Sequence, residues 1–248
     1  MKLRTRARDC LYINWALPHE AAPLLPSPLR YETHEADGRS WVFVTALLFR
    51  MSGLRVRALP GLRLGYPQIN VRLYVIDGDG VAATLFYRTL APWWAVPPLR
   101  FVVRRPAVPA RLEFPRSRVF VDHDEARWAA EKHGRLLSLR ARLGMQSAGP
   151  GPSFGSWPGT VSYFHSRLRA YSTTASGVRR VHTARPQSEV EPVIVEPEHT
   201  GLLASFFRHD EWDQPHSAWL CPELPLRFLT VEEPETVAAS PVTAADIA

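Results

Sequence analysis

The chain has 248 residues, of which 46% are hydrophobic and 22% charged, a balance typical of a globular domain rather than of a disordered chain. No apolar run approaches the roughly 20 residues that a membrane-spanning helix needs, and the stretch after the basic first nine residues is too interrupted for a signal peptide. Cys10 and Cys221 are the only cysteines, which excludes a disulfide framework or a cysteine-rich metal site. We therefore expect a cytoplasmic protein that does not contact a membrane.

The net charge of +6 is the only argument for a nucleic-acid partner. Proteins that bind nucleic acids usually concentrate basic residues on one face and interleave them with aromatic residues. Here the arginines are scattered along predicted strands and turns, without a block of five or six. A basic module that binds nucleic acid or an acidic protein is therefore the weakest of three hypotheses for function.

The first half of the chain has the pattern of short strands joined by tight turns. A strand is predicted over residues 10–17, followed by a short helix over 19–25. One hairpin has Asp37-Gly38 in its turn, and a second, clearer hairpin has the turn 77–80 between two apolar strands. Residues 59–67, between the hairpins, are predicted to be irregular.

The second half is divided by prolines into short pieces. Residues 91–98 predict a short helix or loop. Residues 122–144 fit either a helix or a hairpin, and the turn signal at 132–135 favours the hairpin. Thr160 can cap a short helix over 161–168. The remaining predictions are strands over 169–173, 178–185, 191–197 and 218–231 and a helix over 200–207.

Many short strands, hairpin turns and few helices predict a mainly β protein of the α+β class, built as a single antiparallel barrel or sandwich. We assign residues 1–9 to a basic N-terminal segment and 10–231 to the folded domain. Residues 232–248 are expected to form a disordered acidic tail.

Three blocks of sequence resemble the YqjF-like family, a domain of unknown function in the acetoacetate-decarboxylase-like superfamily. They follow the family's order and read ALPHEAAPLLPSPLRYET (16–33), GLRVRALPGLRLGYPQINVRLYV (53–75) and YFHSRLRAYSTTASGVRRVHTARP (163–186). The resemblance implies a closed or cone-like antiparallel β-barrel around a central cavity. In the superfamily's founding enzymes a lysine in that cavity forms a Schiff base with the substrate.

This chain departs from that pattern at both reactive positions. Its only lysines are Lys2 and Lys132, and the segment 91–98, APWWAVPP, stands where the resemblance implies paired lysines. Gln68 stands where it implies an active-site glutamate. Because an amide cannot transfer a proton as a carboxylate does, the sequence argues against Schiff-base decarboxylation.

The strand that begins at Gln68 carries the main candidate site. Alternation puts Gln68, Asn70, Arg72 and Tyr74 on one face and four apolar residues on the other. In a barrel wall the polar face would line the cavity, and the Arg72 guanidinium would bind a carboxylate or enolate. The alternative is that this face meets solvent.

Five further residues are candidates. His182 could face the cavity opposite Arg72 as an acid or base, or could be a structural hydrogen-bonding residue. Arg167 and Tyr171, four residues apart, could line the cavity or form a pair that stabilises the helix-to-strand junction. Trp93 and Trp94 could form an apolar lid, or pack in the core.

Three short segments match functional sequence motifs, but the residues around them exclude the corresponding functions. Residues 151–155 fit G-x-S-x-G but lack the strand before and the helix after. The turn 77–80 imitates a dinucleotide motif but precedes a strand, and Pro215 interrupts the His- and acid-rich segment 209–216. We therefore expect no cofactor and no metal.

The first hypothesis is a protein that binds a small anionic or carbonyl-bearing organic molecule in a central cavity, anchored by Arg72. The second is an enzyme that uses the same cavity without a covalent amine. In this lyase, hydratase or cyclase, His182 would move protons and Arg72 would stabilise an enolate. The sequence is compatible with a homo-oligomer.

Overall fold

The computed structural model describes residues 3–56, 59–101, 105–115, 125–147, 149–167, 169–174, 177–184, 189–209 and 212–231. These ranges contain long β-strands and three short α-helices. The strands are β1 Leu3–Pro18, β2 Arg30–Tyr31, β3 His34–Ala36, β4 Arg39–Val56, β5 Leu59–Ile76, β6 Ala82–Ala91, β7 Ala107–Pro109, β8 Arg111–Glu113, β9 Glu125–Glu131, β10 Arg135–Leu143, β11 Arg169–Thr174, β12 Gly177–Ala184, β13 Glu191–His199 and β14 Ser217–Val231. The helices are α1 Val96–Phe101, α2 Trp157–His165 and α3 Gly201–Ala204.

The strands pair in the order β1-β4-β5-β6-β11-β12-β14-β13-β10-β9-β8, and β14 also pairs with β1. Most neighbours are antiparallel, but β6 is parallel to both β11 and β7. The sheet is therefore mixed, and the prediction of a wholly antiparallel arrangement needs this correction. The connection from β6 to β11 contains α1, α2 and the β9–β10 hairpin, which is long enough to bring the chain back in a parallel direction.

Two buried cores lie on opposite faces of the long strands. The first is apolar and joins Val71 and Leu73 of β5 to Trp128 of β9 and Leu139 of β10. Alternation along β5 directs its odd-numbered residues into this core. The β9–β10 hairpin therefore covers one face of the main sheet.

The second core is rich in aromatic side chains. It contains Phe43 of β4, Tyr74 of β5 and Trp219 of β14, with Phe164 of α2 packed against them. The rings of Phe164 and Tyr74 are 5.1 Å apart. Helix α2 therefore covers the face of β5 that carries the even-numbered residues.

Several predicted elements are present with different bounds. Both hairpin turns are confirmed, and in the first, Asp37 and Gly38 have φ values of 51° and 72°, as a type I′ turn requires. The 122–144 region contains the β9–β10 hairpin. In contrast, residues 59–67 are part of β5, which makes the prediction of an irregular segment wrong.

Other bounds differ at the ends of elements. Strand β1 begins at Leu3, so most of the basic N-terminal segment is strand. Helix α2 begins at Trp157, because the Ser156 hydroxyl accepts a hydrogen bond from the Gly159 amide at 3.2 Å and caps it four residues before Thr160. The helix predicted over 19–25 is a single 3-10 turn, His19–Ala21. Residues 232–248 lie outside the described residues.

In the described part of the chain, no helix is long and apolar enough to cross a membrane.

Candidate functional site

One face of β5 carries four polar side chains that are all buried. Gln68, Asn70, Arg72 and Tyr74 are 3% exposed or less. The residues between them belong to the apolar core on the opposite face. The alternative of a polar face in bulk solvent therefore does not hold for these four side chains.

Gln68 and Asn70 form a small hydrogen-bonded group with β6. The Gln68 amide nitrogen donates to Asn70 Oδ1 at 2.7 Å, and the Thr89 hydroxyl donates to the same oxygen at 3.1 Å. The other end of the Gln68 amide differs, because its Oε1 is buried and accepts no hydrogen bond from the described residues. A buried acceptor without a donor is unfavourable by about 1–3 kcal/mol.

Arg72 lies against an aromatic ring that a β-bulge brings into place. Val71 pairs with Arg88 and Arg72 pairs with Phe86, so Tyr87 is the extra residue in β6. The Arg72 guanidinium lies 5.2 Å from the Phe86 ring centroid.

A second buried arginine contacts the same ring. The Arg105 guanidinium lies 3.6 Å from the Phe86 ring centroid, and Arg105 is 7% exposed. Its backbone is held beside α1, because the Arg105 amide donates to the Leu99 carbonyl at 2.9 Å. Two guanidinium groups are therefore buried beside one aromatic side chain.

Tyr74 begins a chain of buried hydrogen bonds. Its hydroxyl is 2.7 Å from the Thr45 hydroxyl, which donates to Asn14 Oδ1 at 2.6 Å. A threonine hydroxyl has one proton, so Tyr74 must be the donor to Thr45. Burial raises the pKa of Tyr74 to about 12, although the bond with Thr45 opposes this shift, so the phenol stays protonated and keeps that role.

The same chain continues into β14 and a loop. The Asn14 amide donates to the Ser217 hydroxyl at 3.1 Å, and that hydroxyl lies 3.3 Å from His216 Nδ1. His216 Nε2 lies 2.9 Å from the Pro152 carbonyl oxygen. Since a carbonyl only accepts, Nε2 carries the proton and Nδ1 accepts from Ser217. Every bond from Tyr74 to Pro152 then runs in one direction.

The Pro152 end of this chain is held by a close fit of the loop. Gly151 has a φ of 107°, a left-handed conformation that favours glycine, and a Cβ at this position would overlap the Cβ of Ala16. The loop therefore rests directly on β1.

Arg167 lies next to Tyr74 and has its own partners. Its guanidinium is 4.5 Å from the Tyr163 ring centroid and 5.8 Å from that of Tyr74, and it forms an ion pair with Glu32 at 2.8 Å. Tyr163 also lies 3.0 Å from His34 Nε2. Arg167 thus adjoins the buried polar face at its Tyr74 end.

Tyr171 lies elsewhere, in the apolar core. Its hydroxyl donates to Asp77 at 3.0 Å, and Arg169 donates to the same carboxylate oxygen at 2.8 Å. The proposed pairing of Arg167 with Tyr171 is therefore wrong. Instead, Tyr171 fixes the turn between β5 and β6, in which Asp77 also accepts from the Val81 amide at 2.8 Å.

The two tryptophans lie at the surface. Trp93 is 76% exposed, and Trp94 is 38% exposed with its ring 5.4 Å from that of Tyr66. Neither is a core residue. Trp94 comes near β5, because Tyr66 precedes Gln68 on the same face of that strand. The role of Trp93 and Trp94 as an apolar lid stays a prediction.

His182 cannot be compared with Arg72, because its side chain lies outside the described residues. Its backbone pairs with Arg169 of β11 and Thr230 of β14. Its role as an acid or base stays a prediction. Within the described ranges, no three His, Cys, Asp or Glu side chains are grouped so that they could hold a metal ion.

Sequence reasoning missed Arg105, Asn14, Thr45 and His216. A signal for Asn14 and Thr45 exists, because each is a polar residue inside an apolar strand, which marks a buried hydrogen bond. Arg105 has no such signal, since its place beside Phe86 depends on tertiary packing.

Residues 4–225 of this chain match the sequence profile of one protein family, domain of unknown function 2071. The family is described as an uncharacterized conserved protein. The chain belongs to this family. No curated protein matches it.

Three solved structures share the fold of this family member. The enduracididine biosynthesis enzyme MppR, complexed with the condensation product of pyruvate and imidazole 4-carboxaldehyde, is 11% identical with a TM-score of 0.57, covering 93% of this chain and 88% of its own. An acetoacetate decarboxylase-like enzyme from Sphingomonas wittichii RW1 is 13% identical with a TM-score of 0.59, and the match covers 95% of this chain and 94% of that enzyme. The acetoacetate decarboxylase of Legionella pneumophila is 11% identical with a TM-score of 0.56, and the match covers 96% of this chain and 88% of that enzyme. These likenesses confirm the predicted mainly β, acetoacetate-decarboxylase-like fold.

Proposed function

We propose that this protein binds a small anionic or carbonyl-bearing organic molecule against the even-numbered face of β5. The observation that carries the proposal is the burial of Gln68, Asn70, Arg72 and Tyr74 on one face of one strand. Buried polar groups destabilise a protein unless they have partners. An O–H or N–H group of a ligand would supply the donor that Gln68 Oε1 lacks among the described residues.

Charge supports an anionic or carbonyl-bearing molecule. A guanidinium binds a carboxylate through two parallel hydrogen bonds, and its charge and N–H groups stabilise the single oxygen of an enolate. Arg72 is 3% exposed, so an ion that reached it would be held in a medium of low dielectric constant, where electrostatic attraction is strong.

We also propose that the strands curl into a barrel around this face. In support, the pairing runs from β1 through β4, β5, β6, β11 and β12 to β14, and β14 pairs with β1 over eleven residue pairs. Helix α2 lies across the same face, with Phe164 between Tyr74 and Trp219.

The ligand of a fold relative agrees with this chemistry. MppR is complexed with a condensation product of pyruvate, and pyruvate carries both a carboxylate and a carbonyl. A ligand of that class would fit a site that offers a guanidinium and amide groups.

Thermal unfolding with added pyruvate, acetoacetate or 2-oxoglutarate tests the proposal, because a ligand that binds only the folded state raises Tm. We expect at least one acid to raise the Tm of the wild type, and Arg72→Met to abolish the rise. Arg88→Met is the matched control, since Arg88 lies over Tyr87 and Phe206.

Circular dichroism of each variant establishes that it is folded, and Arg72→Lys, which keeps the charge, should retain part of the effect. A wild-type Tm that none of the three acids changes would contradict the proposal. So would an Arg72→Met protein that they stabilise as much as the wild type.

A further inference from the structure

We infer that Cys10 and Cys221 are a modification site, at which a reversible disulfide links β1 covalently to β14. Two cysteines cannot build a framework of several disulfides, but they are sufficient for a single bond. A bond at this position does not depend on the function proposed above, since it needs no ligand.

The register of the two strands places the cysteines opposite each other. Strands β1 and β14 are antiparallel, and Cys10 pairs directly with Cys221. In an antiparallel pair, the Cα atoms of opposed residues are about 4.5 or 5.5 Å apart. Both separations lie within the roughly 4.4–6.8 Å that a disulfide spans, so the bond needs little movement of the backbone.

The side chains of the neighbouring opposed residues meet across this strand pair. Asn14 is opposite Ser217, and the Asn14 amide donates to the Ser217 hydroxyl at 3.1 Å. Tyr12 is opposite Trp219, and their rings are stacked with centroids 5.3 Å apart. The cysteines are the next opposed pair, two residues further along each strand. Alternation therefore directs both thiols to this same face, where they belong to the aromatic-rich core.

The distribution of cysteine in the chain also indicates a role for the pair. Cys10 and Cys221 are the only cysteines among 248 residues. Packing alone would allow a cysteine at any small apolar position, and alanine or valine could fill the same space. A bond between two sulfur atoms is the role that requires both cysteines to stand at opposed positions.

Burial favours a bond between the two sulfur atoms over other products of oxidation. Both residues are 0% exposed thiols, and the Cys221 sulfur lies 3.5 Å from the Glu223 carbonyl oxygen. The disulfide would replace that weak hydrogen bond and adds no atoms to the interior. A glutathione attached to either sulfur would instead have to be accommodated in a packed core. Burial also protects the formed bond from reducing thiols.

The oxidant in this inference is a low-molecular-weight disulfide, such as oxidised glutathione. One cysteine loses its proton, its sulfur attacks a glutathione sulfur, and the bond between the two glutathione sulfurs breaks, which releases one glutathione thiol. The other cysteine then attacks the protein sulfur of this mixed disulfide, and the second glutathione leaves as a thiol with the second proton. Two protein thiols are thus oxidised, and one glutathione disulfide is reduced to two thiols.

The bond would enclose almost the whole chain, from residue 10 to residue 221. A cross-link over a long loop restricts the unfolded chain and so stabilises the folded protein. Because this linkage is reciprocal, the folded protein must favour the disulfide more than the unfolded chain does.

Refolding in a glutathione buffer tests this inference. The reduced full chain is unfolded in urea, which exposes both thiols, and is then diluted into a mixture of oxidised and reduced glutathione, while a second sample stays in urea with the same mixture. Remaining thiols are alkylated with N-ethylmaleimide in denaturant, and the intact masses are measured. We expect the refolded protein to be two hydrogen atoms lighter than the reduced chain and to take up no maleimide. The urea sample should retain its thiols or carry glutathione.

Thermal unfolding gives a second readout. The Tm of the refolded, oxidised protein should lie roughly 5–15 °C above that of the reduced protein, and dithiothreitol should remove this rise. Cys10→Ala and Cys221→Ala are matched controls, because each keeps one thiol in its place. For both variants the Tm should be the same with and without dithiothreitol. Circular dichroism establishes that they are folded, and the masses of the wild type remain a test if they are not.

Several results would overturn the inference. The refolded wild type could take up two maleimide groups, carry glutathione on its cysteines, or form disulfide-linked dimers. A disulfide that forms to the same extent in urea would also overturn it, because the fold would then contribute nothing to the bond. None of these results bears on the proposed ligand.

Discussion

The hydroxyl oxygens of Tyr74 and Thr45 lie 2.7 Å apart in the interior, and the Thr45 hydroxyl in turn donates a hydrogen bond to Asn14 Oδ1. Thr45→Val would remove the hydroxyl and leave a donor on Tyr74 and an acceptor on Asn14 without their partner. We expect a loss of about 2–4 kcal/mol in the free energy of unfolding, measured by urea denaturation.

Thr45→Ser is the control for that variant. It deletes one methyl group but keeps the hydroxyl, and should therefore lower the free energy of unfolding by only about 1 kcal/mol. Equal losses for the two variants would show that the hydrogen bonds contribute little.

Because His216 is buried, we predict that the free energy of unfolding depends on pH. Burial lowers the pKa of His216 below its ordinary value, despite the opposing hydrogen bond with the Pro152 carbonyl, and burial lowers the pKa of His34 as well. As pH falls below about 6.5, the unfolded chain binds protons at these positions that the folded protein does not. The free energy of unfolding should therefore decrease as pH falls from about 7 to 5, by up to about 1.4 kcal/mol per pH unit for each histidine.

His216→Gln should make this slope shallower, because Gln has no charge to gain. His133→Asn is the control, since His133 is an exposed turn residue with a φ of 52°, which asparagine tolerates. Denaturation curves at a series of pH values measure the slope. A His216→Gln slope equal to that of the wild type would refute this account.

Removal of the Asp77 carboxylate from the turn between β5 and β6 should strongly lower the stability of the protein. Burial alone would raise its pKa, but hydrogen bonds from Arg169, the Val81 amide and Tyr171 outweigh burial, so the pKa of Asp77 is lowered. Asp77→Ala should lower the free energy of unfolding by about 2–4 kcal/mol near pH 7.

The neighbouring Asp79 provides the comparison, because its side chain is 65% exposed. Asp79→Ala should change the free energy of unfolding by no more than about 1 kcal/mol. The stabilisation by Asp77 is present above its unfolded pKa of about 3.9 and is lost as pH falls through the lower folded value. The difference between wild type and Asp77→Ala should accordingly shrink in strong acid; a constant difference would argue against the ionised carboxylate.

Gln68 and Asn70 should respond differently to apolar substitution. Gln68→Met removes a buried acceptor that has no donor among the described residues, but it also removes the Nε2 donor to Asn70, so the free energy of unfolding should change by no more than about 1 kcal/mol. Asn70→Leu removes an oxygen that accepts two hydrogen bonds and should lower it by about 2–3 kcal/mol. Urea denaturation measures both. A loss of more than about 2 kcal/mol in Gln68→Met would exceed what the bond to Asn70 contributes and would mean that Gln68 Oε1 has a partner within the protein.

The parts of the fold that could be predicted are those set by local rules. Two-residue alternation is a property of a single strand, so the shared face of Gln68, Asn70, Arg72 and Tyr74 follows from sequence alone. Turns are similarly local, because Asp37-Gly38 supplies the positive φ values that its hairpin needs.

The parts that could not be predicted depend on contacts between distant segments. Arg105 reaches Phe86 only because α1 folds back on the sheet, and a spacing pattern carries no information about that packing. Arg167 and Tyr171 are four residues apart, yet α2 ends at His165 and β11 begins at Arg169, so the spacing rule of a continuous helix does not apply. The parallel pairing of β6 with β11 is likewise a tertiary event.

The fit of Gly151 against Ala16 restricts what evolution or engineering can place there. The segment 151–155 resembles a nucleophile motif by its letters, but its first glycine is fixed by steric exclusion and not by chemistry. Even the smallest side chain at position 151 would force the segment off β1 and move the carbonyl that holds His216. A saturation library scored for folded yield should therefore retain glycine alone at that codon.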